Sequence, residues 1–534
     1  MSSLQKKILV WGLLFFFLGS TLWLVYIFVR KGPNSETIQQ IIQEDSVQIY
    51  NPSSNKIETE MLQEAAALQK LYALNQYFTI WTKDSIIDTA SIQTIEKLTS
   101  WANSCGIDYP NKALENLKTN NWLFTNYSEA IKTDIMLSDM ALNILLKGRY
   151  GLLEYQISYD ELQEDIDTLL VCKNLLTMVQ NSSELEQTLA LSEPYHVAYI
   201  LLKEHFNKIQ NRLIDFPYID SVSLIETNFD TTHFFQKAFI LGITDSLQNA
   251  QNANLDSIAL KFAQLFNLAD KSIYQTEWIA EVAKPISYRL QQIKESLHIW
   301  RWVQRKSEKQ MLVANTGSAM LRYFDTIGNP SLSMRIIIGT SHTPTPRLAT
   351  HVYAITTYPY WNVPYSIASK EILPKVKKNI TYLKKNNLEV LNKEGKSVDP
   401  EKINWKNISE RTLPYKFRQA TGCDNALGVL KFEIRNPFSI YLHDTNNRKL
   451  FANRNRHLSH GCVRLEKPLE LAMKLIPDYF DRDYMDLCLT KVKPQRHKLT
   501  KEIPVILVYS LSDINEKGEL RFFKNVYQLE SSKN

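Results

Sequence analysis

Residues 456–465 read RHLSHGCVRL, and a further histidine, His443, lies upstream of the cysteine in this run. A neighbouring imidazole makes a thiol a better nucleophile, because it takes or stabilises the thiol proton. Cys462 with His443 therefore predicts a cysteine nucleophile and its base. Gly461 lets backbone approach the reacting centre, and its peptide neighbours are candidate amide donors for an oxyanion.

Residues 439–443 read SIYLH and are followed by the polar stretch DTNN. This pattern predicts a strand that ends at His443, followed by a turn. Strand ends commonly carry catalytic side chains, because the loops that follow them line clefts on a rigid support. The orienting partner of His443 need not be a side chain.

Each of these residues also has a structural interpretation. A histidine at a strand end can be a hydrogen-bonding residue without a catalytic role, and a lone cysteine is often part of a core. His443, His457, His460 and Cys462 together suggest a zinc site, although a structural site would need a fourth ligand at recognisable spacing. Arg464 can pair with Glu466 or Asp444, or it can anchor a substrate carboxylate.

The composition limits the classes of function. The chain has 534 residues with 44% apolar content, enough for three or four folding units. Its net charge of +6 is small and dispersed, so the sequence predicts no nucleic-acid partner.

The cysteines are five in number and lack CxxC spacing: Cys105, Cys172, Cys423, Cys462 and Cys488. That pattern is typical neither of a disulfide scaffold nor of a zinc ribbon. An odd count leaves one free thiol in an oxidising compartment, with Cys462 the natural candidate. The other four are expected to be buried small apolar side chains.

Residues 8–29 contain no charge and are bracketed by 6–7 (KK) and 30–31 (RK). As a helix this segment would be roughly 33 Å long, which predicts one membrane crossing. The alternative is a cleaved signal peptide, but no small-x-small cleavage site follows the apolar run. The sequence therefore predicts an anchor that is retained.

The apolar pattern divides the rest of the chain in two. From about residue 36 to 310 it has helical spacing, as in Leu162, Ile166, Leu169 and Leu170, or in a segment opened by 192–194 that contains Val197, Ile200, Leu201 and Phe206. After about residue 311, β-branched and aromatic runs cover 334–338, 349–357, 431–435, 439–443 and 504–509. These patterns predict a multidomain α+β protein, with a mainly helical N-terminal half and a β-rich C-terminal half. Residues 365–421 show little strand pattern and are expected to form a lid over the sheet.

Residues 425–428 (NALG), 431–432 (KF), 441–445 (YLHDT) and 459–464 (SHGCVR) together resemble the YkuD-type L,D-transpeptidases of bacterial cell-wall synthesis. The signature of that family is a histidine, a spacer and then Ser/Thr-His-Gly-Cys-x-Arg. Further matches are similar to its larger, membrane-anchored subgroup, at 301–302, 345–346, 360–364, 366–367 and 371–374. The resemblance implies a β-sandwich-like catalytic domain with a capping insertion over the active site.

The N-terminal half is similar to the helical scaffold domain of this subgroup at 71–72, 78–81, 133–139 and 192–194. The implied organisation is a cytoplasmic tail and anchor at 1–34, with the membrane helix at 8–29, then a helical scaffold domain at 35–215. A degenerate peptidoglycan-binding-like module follows at 216–300, and the catalytic domain covers 301–534 with its capping loop at about 365–421. In the module the usual Asp-Gly turn is replaced by Lys271-Ser272, so the module is expected to serve as a packing element.

The resemblance also implies a mechanism. Cys462 attacks the L-centre of the position-three diamino acid in a peptidoglycan stem peptide, D-Ala leaves, and an amine of another stem takes the acyl group in a 3-3 cross-link. His443 is the general acid and base, oriented by the backbone carbonyl of Asp444, while Gly461 and His460 shape the turn and the oxyanion site. The residues implied to contact the substrate are Arg464, Ser459, Tyr441, Asn425 and Trp361. Neither a metal nor an organic cofactor is required.

A stem-peptide substrate lies outside the inner membrane, so the resemblance implies a single-pass bacterial inner-membrane protein with a periplasmic catalytic domain. Its implied partners are stem peptides, the membrane and wall-synthesis proteins, and it would be a carbapenem target. Alternatives with the same thioacyl chemistry are an L,D-carboxypeptidase and a ligase of envelope proteins to the wall. A cysteine peptidase, or a catalytically silent wall-binding scaffold, are the remaining interpretations.

Overall fold

A computed structural model describes residues 35–529, apart from 45, 52–55, 84–85, 110–113, 115–123, 125–126, 152–154, 163–165, 218, 220–230, 253, 269–275, 308 and 480. The predicted anchor at 8–29 and the turn position Lys271-Ser272 lie outside the described residues. Among those that are described, none belongs to a helix both long and apolar enough to cross a membrane.

The first half of the chain is helical, as predicted. Its helices are Ser35–Gln43, Ala65–Leu74, Thr89–Ser104, Tyr127–Tyr150, Thr168–Gln180, Leu185–Leu191, Val197–Ile214, Thr231–Ile240, Leu247–Asn252, Leu255–Leu265, Thr276–Ala283 and Ile286–Lys306. Short strands accompany them at Ser46–Asn51, Lys56–Met61, Thr82–Lys83, Ile86–Ile87 and Tyr159–Asp160.

The helix Val197–Ile214 begins later than its sequence pattern predicts. It starts after His196, not at residue 192. Its buried residues are Tyr199, Leu202, Phe206 and Ile209, whereas Val197 and Ile200 are exposed. Tyr199 carries a hydroxyl that needs a hydrogen-bond partner when it is buried. A pattern built from apolar residues alone therefore does not identify Tyr199 as a core residue. The predicted helical spacing is confirmed: Phe206 is buried and Leu201 packs against the same core.

A buried carboxylate organises the helical scaffold. Asp134 is fully buried in the helix Tyr127–Tyr150. It accepts hydrogen bonds from the backbone amides of residues 80–82 at 2.7–3.0 Å and from the Tyr72 hydroxyl at 2.6 Å. A buried carboxylate is stable only when its oxygens are satisfied in this way, so Asp134 fixes the loop after the helix Ala65–Leu74.

The helix Ile286–Lys306 connects the helical half to the sheet. Its Trp302 belongs to the same hydrophobic cluster as Met311 and Ile506 of the sheet. Arg301 is fully buried and donates to the Cys105 carbonyl at 2.6 Å and to the Tyr199 hydroxyl at 2.9 Å. The β-rich half is thus packed directly on the helical half.

The second half is β-rich, as predicted. Its main strands are Met311–Asn315, Met320–Phe324, Pro330–Gly339, Leu348–Thr357, Leu430–Ile434, Leu442–His443, His457–Ser459, Val463–Leu465 and Gln495–Val508, and a hairpin follows at Ser512–Ile514 and Leu520–Phe522. The main strands belong to one ten-stranded sheet. Its pairings close on themselves, because Leu430–Ile434 pairs both with Leu442–His443 and with Leu348–Thr357. The sandwich-like layers are therefore continuous around one apolar core.

The segment 365–421 is folded, contrary to the expectation of little strand structure. Its strands Leu388–Leu391, Ser397–Val398 and Lys416–Gln419 form a four-stranded sheet together with Trp361–Asn362. Short helical elements at Tyr365–Ile367, Ala368–Ile372, Leu373–Lys378 and Thr381–Lys385 cover it. Trp405 stacks on Phe417 with ring centroids 6.0 Å apart, inside a separate hydrophobic cluster. We call this unit the cap.

The remaining elements are short, and all except Ser182–Glu184 belong to the β-rich half. Helices are found at Pro468–Leu475 and Arg482–Asp486. Single 3-10 turns occur at Ser182–Glu184, Pro400–Lys402, Trp405–Asn407, Arg448–Ala452 and Pro477–Tyr479.

Two cysteines expected to be small buried side chains are instead joined. Cys423 and Cys488 form a disulfide across a sequence separation of 65 residues, which corrects that expectation. Cys105 and Cys172 are buried free thiols, and Cys462 is also free. Sequence spacing could not reveal the pair, because only the fold brings the end of the cap next to the loop before Gln495–Val508.

Replacing Cys423 and Cys488 with serine is expected to lower the free energy of unfolding by about 2–4 kcal/mol, because the unfolded chain regains the freedom of a long closed loop. Urea denaturation of the oxidised protein measures the change. Adding a thiol reductant should shift the unfolding midpoint of the wild-type protein and leave the double variant unmoved. Equal midpoints for the two oxidised proteins would show that the bond does not form.

Candidate active site

The register of three neighbouring strands places the predicted catalytic residues on one face of the sheet. Leu442–His443 runs parallel to Val463–Leu465, with His443 opposite Arg464. Because side chains alternate along a strand, Tyr441 and Cys462, each two residues earlier, point to the same side as His443 and Arg464. Lys431 faces His443 from the next strand. The residues of the sequence motif therefore form one continuous polar surface on the sheet.

His443 is 5% exposed, and its Nδ1 lies 2.5 Å from the backbone carbonyl of Asp444. A carbonyl only accepts, so Nδ1 must carry the hydrogen and Nε2 keeps its lone pair. Burial lowers the pKa of His443 to about 3, and the charge of Arg464 acts in the same direction. The imidazole is therefore neutral at pH 7, with the tautomer that a general base requires.

The carboxylate of Asp444 has a different task from its carbonyl. It accepts from the Val429 amide at 3.0 Å and from Arg448 at 2.9 Å. Both bonds hold the turn that follows His443, so the carbonyl stays directed at the imidazole.

The Cys462 thiol lies among polar groups, although it is largely surrounded by protein. Its Sγ is 3.8 Å from the carbonyl oxygen of Ser439 and bonds to the Tyr441 hydroxyl. Burial raises the pKa of the thiol. Tyr441 also contacts the side chain of Trp361, and burial raises its pKa too. At rest the thiol is thus protonated, and it would need a base in order to act as a nucleophile.

The turn that carries the thiol is fixed by hydrogen bonds. Ser459 is buried, and its Oγ donates to the Cys462 carbonyl at 2.7 Å and accepts from the Gly461 amide at 3.1 Å. The Gly461 carbonyl accepts from the Thr345 hydroxyl at 2.8 Å, and Tyr527 supports Thr345 in turn. Gly461 has φ 121°, a conformation that side chains rarely adopt. Ser459 and Gly461 therefore shape the turn, and the Gly461 amide is already used within it.

His460 points out of this turn toward the cap. Its Nε2 lies 2.7 Å from Glu371 of the short helical segment Ala368–Ile372. Both side chains are about half exposed, so the pair adds little free energy by itself. It does connect the cap directly to the residue two positions before Cys462. Glu371 was not among the predicted site residues, because nothing in the local sequence relates it to the turn.

Among the residues that the structure describes, no carboxylate pairs with the guanidinium of Arg464. Glu466 pairs with Arg335, and Asp444 pairs with Arg448, so neither of the suggested partners of Arg464 is engaged by it in the described part of the chain. Its Nε is buried without a hydrogen-bond partner. A buried cation without a counter-charge is costly, and a substrate carboxylate at this face would relieve that cost.

Lys431 is a site residue that sequence reasoning did not assign. Its Nζ lies 4.5 Å from the centre of the Tyr441 ring. Its charge lowers the pKa of both the Cys462 thiol and the His443 imidazole, after the larger effect of burial on each. The pairing of Lys431 with His443 across strands is a tertiary feature, so a linear motif gives no sign of it.

Asn425 lies at the base of the cap and not on the reactive face. It is 1% exposed, its amide donates to the carbonyls of Pro359 and Ala420 at 3.1 and 2.8 Å, and its oxygen accepts from the Leu427 amide. All these partners are backbone groups. We therefore assign it a role in holding the loop, where substrate contact had been predicted.

The four residues considered as zinc ligands do not converge. His457 packs against the Tyr527 ring with centroids 5.3 Å apart, His460 faces Glu371, and His443 is bonded to Asp444. Over the described residues, no group of three or more His, Cys, Asp or Glu side chains is arranged to hold a metal ion. The donor geometry thus gives no support to the zinc alternative.

Comparison with known families agrees with this arrangement. Residues 309–478 match the sequence model of the YkuD family, the L,D-transpeptidase catalytic domain, and residues 66–205 match that of the Scaffold domain. The chain therefore contains an L,D-transpeptidase catalytic domain joined to a scaffold domain.

A relative from Haemophilus influenzae, named "Putative L,D-transpeptidase", is 35% identical over 217 residues. The match covers 40% of this chain and 44% of the relative. The chain thus spans less than half the length of the curated relative that it matches.

Proposed function

We propose that the protein is a peptidoglycan L,D-transpeptidase in which Cys462 carries the acyl group and His443 transfers the proton. The observation that supports this proposal most is that Cys462, His443 and the unpaired Arg464 lie on the same face of the sheet. A thiol beside an imidazole whose Nε2 can accept a proton suits acyl transfer. A cation without a counter-charge suits a substrate with a free carboxylate. The proposed location is the periplasmic side of the bacterial inner membrane, with residues 8–29 as anchor.

In the first half-reaction, the thiol of Cys462 attacks the carbonyl carbon at the L-centre of the position-three diamino acid. Its proton passes to Nε2 of His443, and the tetrahedral intermediate collapses to a thioester. The C–N bond to D-Ala breaks, and the leaving amine takes the proton from His443. Because Nδ1 remains bonded to the Asp444 carbonyl, the imidazolium keeps its orientation through the step.

The oxyanion of this intermediate needs amide donors. The Gly461 amide is bonded to Ser459, whereas the Cys462 amide has no hydrogen-bond partner among the described groups. We assign the Cys462 amide as a donor, with the Tyr441 hydroxyl close to the same sulfur. Donors fixed in advance of the reaction stabilise developing charge without reorganisation.

In the second half-reaction, an amine of another stem loses a proton to His443 and attacks the thioester, which forms an amide and restores the thiol. This step yields a 3-3 cross-link. Water as acceptor would yield a trimmed tripeptide instead, and a protein lysine would yield a protein-linked muropeptide. The cap contacts the turn that carries Cys462 through Glu371 and His460.

Product analysis tests the proposal. The purified protein is incubated with tetrapeptide-bearing muropeptides, and the products are identified by mass spectrometry. Cross-linked dimers with loss of one D-Ala are expected. Tripeptides alone would replace the transpeptidase assignment by a carboxypeptidase, protein-linked muropeptides would indicate a ligase, and unchanged substrate would favour a silent scaffold.

Replacing Lys431 with methionine is expected to slow alkylation of Cys462 by iodoacetamide about three- to tenfold at pH 7, because a nearby positive charge that favours the thiolate is removed. Lys431→Arg should keep the wild-type rate, since the charge is retained. Rates are followed by the mass of the intact protein. Equal rates for all three proteins would mean that Lys431 does not act on the thiol.

A further inference from the structure

A cavity of about 600 Å³ opens on the catalytic half and is lined by none of the residues of the cysteine site. It lies between strands Met320–Phe324 and Pro330–Gly339 on one side and the hairpin formed by Ser512–Ile514 and Leu520–Phe522 on the other. Its size is sufficient for a peptide of a few residues.

The lining is strongly basic. Its cations are Arg322, Arg335, Arg456, Lys467, Lys517 and Arg521, and its carboxylates are Glu466, Asp513 and Glu516. Asp513 is engaged by Arg322 at 3.0 Å, and Glu466 is engaged by Arg335. Arg521 is also paired with Glu519, which lies outside the lining, so the six cations meet four carboxylates and two positive charges remain in excess. A concave surface with charges of one sign concentrates its field inside the cavity.

Arg456 contributes a cation that no carboxylate neutralises. Its guanidinium donates to the carbonyls of residues 318, 319, 453 and 454 at 3.0–3.3 Å, and its Nε is buried without a partner. Burial lowers its pKa to about 10, and the neighbouring Arg335 adds to this effect. Arg456 therefore stays charged at neutral pH, at a cost that an anion in the cavity would offset.

Other polar side chains that line the cavity also have no hydrogen-bond or ion-pair partner among the described residues. The Lys517 side chain is exposed and has neither a hydrogen bond nor an ion pair to any described residue. The buried Oγ of Ser333 is unpartnered as well. Met320 and Phe523 add apolar surface. Guanidinium and ammonium groups above an apolar wall match a peptide that carries several carboxylates.

The position of this cavity in the chain relates it to the reaction. Arg456 directly precedes the strand His457–Ser459, which leads into the catalytic turn. Glu466 and Lys467 directly follow the strand Val463–Leu465, which leaves that turn. Both segments that hold Cys462 therefore end at the cavity wall.

We propose that this cavity is a second binding site, for a carboxylate-rich peptide segment of peptidoglycan that is not the acylating donor. The proposal rests on the function proposed above, because that function supplies acidic stem peptides at this surface. A neighbouring stem bound there would hold the wall next to the turn that carries Cys462. The local concentration of stem peptides at that turn would then rise.

The test uses the tripeptide L-Ala-γ-D-Glu-meso-diaminopimelate, which lacks the fourth residue and so cannot donate an acyl group. Its affinity for the full chain is measured by isothermal titration calorimetry. Lys517→Glu and Lys467→Met are each expected to weaken binding about five- to tenfold, and raised salt should weaken wild-type binding. Lys501→Glu, an exposed charge reversal on the strand Gln495–Val508, should bind as the wild type does.

Three outcomes would overturn the proposal: no binding to the wild-type protein, binding indifferent to Lys517 and Lys467, or binding equally weakened by Lys501→Glu. Inorganic phosphate is titrated in parallel. If its binding depends on Lys517 and that of the tripeptide does not, the cavity is a phosphate site and the proposal is wrong. Acylation of the wild-type protein by a donor tetrapeptide is measured separately, so a failure of the transpeptidase assignment is distinguished from a failure of the second site.

Discussion

Cys462→Ala is expected to abolish covalent adduct formation with a donor tetrapeptide or with a carbapenem, with a loss of more than about 10³-fold in acylation rate. Alanine removes the only atom of the proposed mechanism that bonds to the acyl carbon, and neither water nor His443 can replace it in a thioester. The measurement is the mass of the intact protein after incubation. The wild-type protein should gain the mass of one acyl group, and the variant should gain none.

The fold of this variant is expected to remain intact. The thiol makes only a long contact with the Ser439 carbonyl and a bond with the Tyr441 hydroxyl, while the turn is held by Ser459 and Thr345, which remain in place. Cys105→Ala is the matched control, because it removes a free thiol far from the site in the sequence and should leave the adduct unchanged. An adduct that persists in Cys462→Ala would assign the nucleophile to another residue.

The part of the site that is local in sequence could be predicted from it. Ser459, Gly461, Cys462 and Arg464 lie within six residues, so their types and spacing alone indicate a nucleophile on a tight turn. His443 is nineteen residues before the cysteine; its predicted place at a strand end made it a candidate base, and the family resemblance implied that role, which remains a prediction. The backbone carbonyl of Asp444 followed from the family resemblance and agrees with the distance observed.

The features that escaped prediction depend on contacts between distant segments. Glu371 meets His460 across 89 positions, and Lys431 meets His443 through strand pairing. The Cys423–Cys488 disulfide likewise depends on where the cap returns to the sheet. The cap itself was taken for a loop because its strands are only two to four residues long, too short to show a clear alternation.

The cap and the catalytic turn are linked in a way that bears on substrate access. The disulfide fixes the C-terminal end of the cap to the catalytic half at Cys488, while the contact of Glu371 with His460 holds its other side over the turn. One connection is covalent and the other is a half-exposed contact of small free energy. Motion of the cap would therefore break the second contact first and open the site from the side of His460.

His443→Ala is expected to reduce acylation by about 10²–10⁴-fold, because the resting thiol is protonated and needs a base. The wild-type pH dependence gives the sharper test. The pKa of His443 is depressed from its ordinary value of 6.5 to about 3, so the imidazole remains a competent base as the pH falls through 6.5 and loses that role only near pH 3. Acylation by the wild-type protein should therefore be flat between about pH 5 and 8, without a limb near 6.5.

Alkylation by iodoacetamide should behave differently, because it reports the thiolate itself. Burial raises the pKa of Cys462, so the thiolate fraction, and with it the alkylation rate, should rise about tenfold per pH unit between pH 6 and 8. His443→Ala should keep this slope while losing acylation. A flat alkylation rate over the same range would instead show a preformed thiolate and imidazolium pair, which would require a charged His443 and contradict the neutral imidazole that its burial and its bond to Asp444 impose.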